Sequence, residues 1–467
     1  MNEYIEHNHL TADQLVGYIY QTLTDAEREE MDLHLAECSQ CRANLSEQEA
    51  VYRRIHYSLI NDLRQIRPTQ RVSFAAVSHR FRRSKRLTMM WAATGQMLAT
   101  AASIIIVGFL AFSLVTMLGG KKQLTTAPAV EGAMFRGNPQ HTGVYYPQTI
   151  PLKGELAWSF RTADKVWSSP SMAGGIIYFG GRDGYFYALD GQTGQLKWKT
   201  HVPSYICSSP AIVDGVVYFG SANYLYALNS QTGQQLWRFE TKEWAAETSP
   251  VVAEGLIYYT AENYLYVLDA RTGQEQWRLA IATPGTFSSP AVAAGVVYVG
   301  GFDLYAIDSQ TEKIKWIFPT EGNWLTSSPT VFEDTVYVGI YPTALHAIDS
   351  QTGQKRWVFE ATKEIVSSPA VTADKVYFGS NDYTFYALNR QTGQLSWTFK
   401  TKAEIISSPA IAGEMVYFGD IDGIYALNRQ TGQKQWHFAT GSVTASPLIA
   451  NGLVYFGSQD NWFYAVR

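Results

Sequence analysis

From Ser168 to Arg467 the chain alternates short apolar runs with polar turns, and the whole alternation recurs about every 40 residues. The clearest copy, Ser208–Trp237, reads SSPAIVDGVVYFGSANYLYALNSQTGQQLW. Ser-Ser-Pro or a close variant starts at Ser168, Ser208, Thr248, Ser288, Ser327, Ser367, Ser407 and Ala445. A tryptophan closes the unit at Trp158, Trp198, Trp237, Trp277, Trp316, Trp357, Trp397 and Trp436. Val216–Gly220 and Leu225–Asn229 are β-branched and aromatic, which predicts strands buried between neighbours. Next comes Asn/Asp-x-Gln-Thr-Gly-Gln, as in Asn229–Gln234, Asp349–Gln354, Asn389–Gln394 and Asn428–Gln433. There the Asn or Asp bonds its own backbone two residues on, and the Gly supplies the positive φ of a tight hairpin with a bulge.

Each copy therefore holds four short strands and too little core to stand alone, so eight copies predict stacked blades, an all-β eight-bladed propeller. The register is offset by one strand. Trp158 precedes the first Ser-Ser-Pro, and the last copy ends at Tyr464–Arg467 with no tryptophan run after it. The strand around Trp158 is thus expected to complete the C-terminal sheet and leave no open seam.

Ala227–Trp237 resembles the tryptophan-docking motif of the pyrroloquinoline-quinone repeat family, the quinoprotein-like propellers. Met134–Gly143, MFRGNPQHTG, is similar to the lead-in that precedes such rings, and the resemblance runs from Gly132 to Arg467. Two kinds of relative follow from it. Quinoprotein dehydrogenases of this family hold their quinone beside two adjacent cysteines and bind calcium through nearby carboxylate and amide side chains. Cys207 is the single cysteine of this stretch, so pyrroloquinoline quinone is not expected and the ring is read as non-enzymatic. The second kind is the propeller lipoprotein of outer-membrane barrel assembly, a scaffold, which would need a lipoprotein signal that this sequence does not show.

The N-terminal pattern switches to helical spacing. Two capping boxes, Thr11-x-x-Gln14 and Thr24-x-x-Glu27, each predict a helix start, and the second helix runs into His34-x-x-x-Cys38-x-x-Cys41. A His one turn before Cys-x-x-Cys places three donors around one ion. His9 is the candidate fourth ligand and His7 its competitor. Zinc would staple a bundle too small to hold itself together by burial. The pattern resembles the zinc-binding anti-sigma factor domain over residues 5 to about 60. That resemblance implies Zn²⁺ on His9, His34, Cys38 and Cys41, and a sigma factor as partner. Tyr20-Gln21-Thr22-Leu23 stands where the family has a turn of small residues and Gly, a departure that bears on sigma binding and leaves the metal set intact.

Between the two patterns, Met97–Leu118 is 22 residues without a charge. At 1.5 Å per residue it spans about 33 Å, enough to cross a hydrocarbon core of about 30 Å. Residues 51–90 carry ten Lys/Arg and one acidic residue, Asp62, whereas the C-terminal flank offers Lys121 and Lys122. The positive-inside rule then puts the N-terminus in the cytoplasm and the ring outside. The basic run lacks the interleaved aromatics of a base-reading surface, so nucleic acid is not expected as a partner and anionic lipid is. Val51, Ile55, Leu59, Leu63 and Ile66 form an apolar stripe that reads either as core or as a partner face. The expected organisation is a small all-α zinc-binding bundle at 1–66, a basic juxtamembrane segment at 67–96, a transmembrane helix at 97–118, a linker at 119–131 and the propeller at 132–467.

Charge and cysteine use add little more. The first 50 residues are acidic, with eleven Asp/Glu against two Lys/Arg, and the whole chain is near neutral at −4. Cys38 and Cys41 fall on the reducing side of the expected topology, where thiolates persist as metal ligands. Aromatic residues precede several Ser-Ser-Pro triplets: Trp167, Tyr205, Trp244, Phe287 and Trp324, with Glu364 and Glu404 near the corresponding place later on. At a funnel mouth they would take a small molecule, a glycan or a peptide of an envelope protein, or they would simply plug the ring. The expected function is single-pass signalling, a cytoplasmic anti-sigma module coupled to an external sensor. An envelope scaffold is the alternative, and a membrane quinoprotein oxidoreductase comes last.

Overall fold

The computed structural model describes His34 and residues 134–145, 153–241, 248–261, 263–281 and 288–467. The chain divides into two compact units, Met1–Thr126 and Ala127–Arg467. In the first unit His34 has helical backbone and is partly exposed. His9, Cys38 and Cys41, the bundle helices and the apolar segment Met97–Leu118 lie outside the described residues. Among the described residues no helix is long and apolar enough to cross a membrane.

The second unit is an eight-bladed all-β propeller. Blade 1 is built from Ser171–Ala173, Ile176–Gly180, Tyr185–Asp190 and Leu196–His201, hydrogen-bonded in that order. Blades 2 to 7 repeat the arrangement, from Ala211–Val213 in blade 2 to Lys434–Ala439 in blade 7. Blade 8 takes Leu448–Ala450, Leu453–Gly457 and Trp462–Val466 from the C-terminal end and Leu156–Arg161 from the start of the ring. Leu156 pairs with Val466 and Arg161 with Trp462, antiparallel. The offset of the sequence repeat is therefore how the circle closes.

Burial follows from strand position. The second and third strands lie between neighbouring blades and are almost wholly buried, as in Val216–Ser221 and Tyr224–Asn229. The outermost strands alternate exposed and half-buried residues, as expected of one covered face. The turn chemistry is as its residues require. Asn229 Oδ1 accepts the N–H of Gln231 and of Thr232, each at 3.0 Å, and Gly233 takes φ +71°.

Two devices join the blades. Trp158, Trp198, Trp237, Trp316, Trp357 and Trp397 each donate Nε1–H to a carbonyl in the next blade's turn, at 2.9–3.2 Å. Tyr178 and Tyr377 hydroxyls donate to the same carbonyls, Ser230 O and Arg429 O, so both lone pairs are used. The second device lines the channel. The N–H of Ser169 donates to Ser209 Oγ, that of Ser209 to Ser249 Oγ, and the pattern continues through Ser289, Ser328, Ser368 and Ser408. The second serine of seven triplets, Ser169, Ser209, Ser249, Ser289, Ser328, Ser368 and Ser408, is thus a structural hydroxyl, buried and bonded to its neighbour.

The lead-in segment, which the repeat pattern did not place, runs along the innermost strands. Pro139 O accepts the N–H of Val292, Gln140 O that of Val331, Thr142 O that of Val371 and Gly143 O that of Ile411. Val144–Tyr145 then pairs parallel to Ala410–Ala412. One strand of polypeptide so satisfies edge donors of blades 4 to 7 that would otherwise face the channel.

Candidate functional site

Antiparallel connectivity fixes which loops share a face. The loops that bring the chain into each innermost strand lie with the turns between the second and third strands, and the Gln-Thr-Gly turns lie opposite. Among the described residues six incoming loops carry a buried apolar residue two places before the triplet: Val166, Ile206, Leu325, Ile365, Ile405 and Val443. The Gly that ends the second strand of the preceding blade is where these residues press; a Cβ on Gly180 would collide with Ile206, and one on Gly379 with Ile405.

The five aromatic residues singled out from sequence do not share one position. Trp167 and Phe287 stand immediately before their triplets, Tyr205 and Trp324 three places before, and Trp244 four places before. Trp244 and Phe287 lie outside the described residues. The remaining three fall into two groups. Trp324 stacks on Tyr341 in blade 5, centroids 4.0 Å apart and planes at 16°. Trp167 and Tyr205 come together at the junction of blades 1 and 2.

What unites them is Arg182, which sequence reasoning passed over. It sits in the turn between the second and third strands of blade 1, where its N–H donates to Lys165 O at 2.9 Å. On the other side Ile206 N–H donates to Gly181 O at 3.1 Å. The turn is therefore stitched to both incoming loops, and the guanidinium packs against a ring from each. Its Cζ is 4.1 Å from the Trp167 ring centroid and 5.2 Å from that of Tyr205. All three side chains are partly exposed. Asp183, next in sequence, is committed elsewhere: Oδ2 accepts Tyr187 Oη–H at 2.6 Å and Ala163 N–H at 3.0 Å, and Oδ1 accepts Tyr185 N–H at 3.1 Å. Burial and then this carboxylate push the Tyr187 hydroxyl well above its usual range.

The signal that could have found Arg182 is comparison of one turn position around the ring. Tyr341, Asn381 and Gln459 make the same backbone bond, to the carbonyls of Trp324, Glu364 and Ser442. Among these four Arg182 alone is charged.

The channel holds a second polar group. Arg136 is buried and donates Nη1–H to Ser368 O and Nη2–H to Pro409 O, with no carboxylate partner among the described residues. His141, also fully buried, places Nδ1 3.3 Å from Pro329 O. Burial pushes Arg136 down to about 9, and burial together with Arg136 pushes His141 down to about 3. Cys207, partly exposed, is the one cysteine of the ring, and its neighbours in sequence are Ile206 and Ser208. The residues present do not fit the cysteine-pair quinone site that the repeat family implies.

Comparison with known proteins agrees with both halves of the chain. Residues 149–322 and 301–467 match the sequence profile of the family described as "Outer membrane protein assembly factor BamB". Residues 11–42 match the profile described as "Putative zinc-finger"; His34, Cys38 and Cys41 fall inside that match and His9 two places before it. No curated protein sequence matches the chain. Among solved structures, BamB from Moraxella catarrhalis is 22% identical with a TM-score of 0.58, covering 66% of this chain and 98% of that one. Quinohemoprotein alcohol dehydrogenase from Comamonas testosteroni is 14% identical with a TM-score of 0.64, covering 73% and 81%. The computationally designed Ika8 protein is 18% identical with a TM-score of 0.59, covering 68% and 99%. At these identities the structures establish the propeller fold and no more.

Proposed function

We propose a function from one premise: over residues 149–467 the chain belongs to the family described as outer membrane protein assembly factor BamB. The same chain carries a zinc-finger-type segment at residues 11–42, and that pairing of modules is the observation that carries the reading. The protein is a single-pass membrane signalling protein. His34, Cys38 and Cys41, with His9, hold a structural Zn²⁺ that closes a small cytoplasmic bundle, and the bundle sequesters a sigma factor. Met97–Leu118 crosses the membrane, and the propeller outside binds a ligand without catalysing a reaction. Signal passes inward because occupancy of the ring changes the availability of the inner module, by proteolysis, rotation or clustering, and the coupling is reciprocal.

The test is co-purification. Full-length protein extracted from its native membrane brings a sigma subunit with it, and Cys38→Ser or Cys41→Ser loses that subunit while the ring stays folded. Absence of any sigma subunit sinks the regulatory reading. A second reading, an envelope scaffold, is favoured by the family match of the ring itself; it predicts envelope proteins in place of the sigma subunit in the same preparation.

A further inference from the structure

We infer that the junction of blades 1 and 2 is a carboxylate-binding site, with Arg182 as its anchor and Trp167 as second donor. The inference deepens the proposed sensor role and rests on the ring binding a ligand.

Three observations carry it. First, the Arg182 guanidinium stacks over two aromatic rings, its Cζ 4.1 Å from the Trp167 centroid and 5.2 Å from that of Tyr205. Stacking of this kind fixes the plane of the guanidinium and leaves its in-plane fork of N–H groups as the bonding edge. A fork so oriented matches a planar carboxylate, which it can meet with two parallel hydrogen bonds. Second, that fork meets no carboxylate among the described residues. Arg182 forms no ion pair among the described residues; the carboxylates on the same loops are Asp183, already engaged, and Asp164, which accepts the N–H of Lys165 at 2.7 Å. Third, two donors in this partly exposed cluster, Arg182 Nε and Trp167 Nε1, are buried and have no hydrogen-bond partner among the described residues. A buried N–H without an acceptor is destabilising, so two of them together in a partly exposed cluster mark a place for an acceptor that arrives from outside. Lys165, on the same loop as Trp167, adds a further cation to the approach.

The ligand class is a small molecule bearing a carboxylate. Neutral sugars lack the charge the fork selects. Inorganic phosphate has the charge and a tetrahedral shape, and it serves as the competing oxyanion.

The test is calorimetric titration of the full-length protein in detergent with glucuronate and acetate, alongside glucose and inorganic phosphate. Saturable binding of glucuronate or acetate is expected, with none for glucose. Arg182→Gln weakens it at least about tenfold, the loss expected for a charge-assisted pair. Trp167→Phe, which keeps a ring over the guanidinium and removes the Nε1–H, weakens it by a smaller factor. Arg429→Gln, on the opposite face, leaves it unchanged and serves as the folding control. Silence of both carboxylates overturns the inference, as does binding that survives Arg182→Gln. Phosphate binding without carboxylate binding overturns the ligand class. Sigma co-purification is scored on the same preparation. A sigma subunit without carboxylate binding defeats this site alone, and Arg182-dependent binding without a sigma subunit defeats the signalling reading alone.

Discussion

Ser446 donates its backbone N–H to the Ser169 hydroxyl at 2.9 Å, across 277 positions of sequence. This bond joins the last triplet to the first, so the serine ladder that lines the channel crosses the seam of the ring. With the antiparallel pairing of Leu156–Arg161 to Trp462–Val466, it makes closure a matter of both the innermost and the outermost strand of the ring.

Ser169→Ala is therefore expected to leave the Ser446 N–H buried without an acceptor and to cost about 1–3 kcal/mol. Urea unfolding of the full chain, followed by tryptophan fluorescence, reads it as a lower midpoint with an unchanged slope. Ser209→Ala, which removes the same acceptor from Ser169 within the body of the ring, is the matched comparison. Equal midpoints for Ser169→Ala and the parent would mean that the ladder contributes nothing to closure.

The tryptophans allow a sharper comparison. Trp397 donates Nε1–H to Arg429 O at 3.1 Å, whereas Trp436 Nε1 is buried without a partner among the described residues. Trp436 lies at the seam, packed on Gly154, where other blades present the Gly of a Gln-Thr-Gly turn. Trp→Phe removes similar volume at either site, so Trp397→Phe should cost more than Trp436→Phe by one net hydrogen bond, about 0.5–1.5 kcal/mol. Equal losses in chemical denaturation would show that Trp397 acts through packing alone.

Much of this architecture was legible because the repeat states it eight times. Strand order, turn type and the closing role of the Trp158 strand all follow from the spacing of Ser-Ser-Pro, Gln-Thr-Gly and Trp. The parts that did not repeat were invisible. Met134–Tyr145 has no internal period and its partners are four blades more than 140 residues downstream, so nothing local announced that it lines the channel. The aromatic residues were legible as a group but not in register, because the incoming loops differ in where the ring falls relative to the triplet. Arg182 was missed because a lone Arg in a turn reads as solvated until the two loops that enclose it are seen together.

His141 makes stability depend on pH. The buried ring is held neutral, pushed down to about 3 from an ordinary value of 6.5. Between those values the unfolded chain carries a proton that the folded chain does not. Its contribution is complete above pH 6.5 and is lost as pH falls toward 3, at a slope approaching about 1.4 kcal/mol per pH unit. His346, pushed down to about 4 by burial and then by Lys355, adds a loss of the same sign over a narrower window. His141→Gln keeps a donor for Pro329 O and should flatten the slope measured by urea unfolding from pH 6.5 to 4.5. An unaltered slope would mean that His141 takes up its proton in the folded ring.

Metal content tests the other end of the chain independently. The purified full-length protein is expected to carry one zinc per chain, and Cys38→Ser or Cys41→Ser to lose it, because three remaining donors cannot close a tetrahedral site. The family match begins at residue 11 and so leaves the fourth ligand open. His9→Ala should lower zinc retention against a chelator, and His7→Ala should not; the reverse result would reassign the ligand to His7. Thiolate ligation also makes the site sensitive to oxidants. Hydrogen peroxide takes two electrons from Cys38 and Cys41, forming their disulfide and water, and the ion loses two of its four donors. Zinc release on peroxide, read with a chromogenic chelator and reversed by a dithiol in the presence of zinc, is the expected outcome. Zinc that survives formation of the disulfide would exclude both cysteines as ligands.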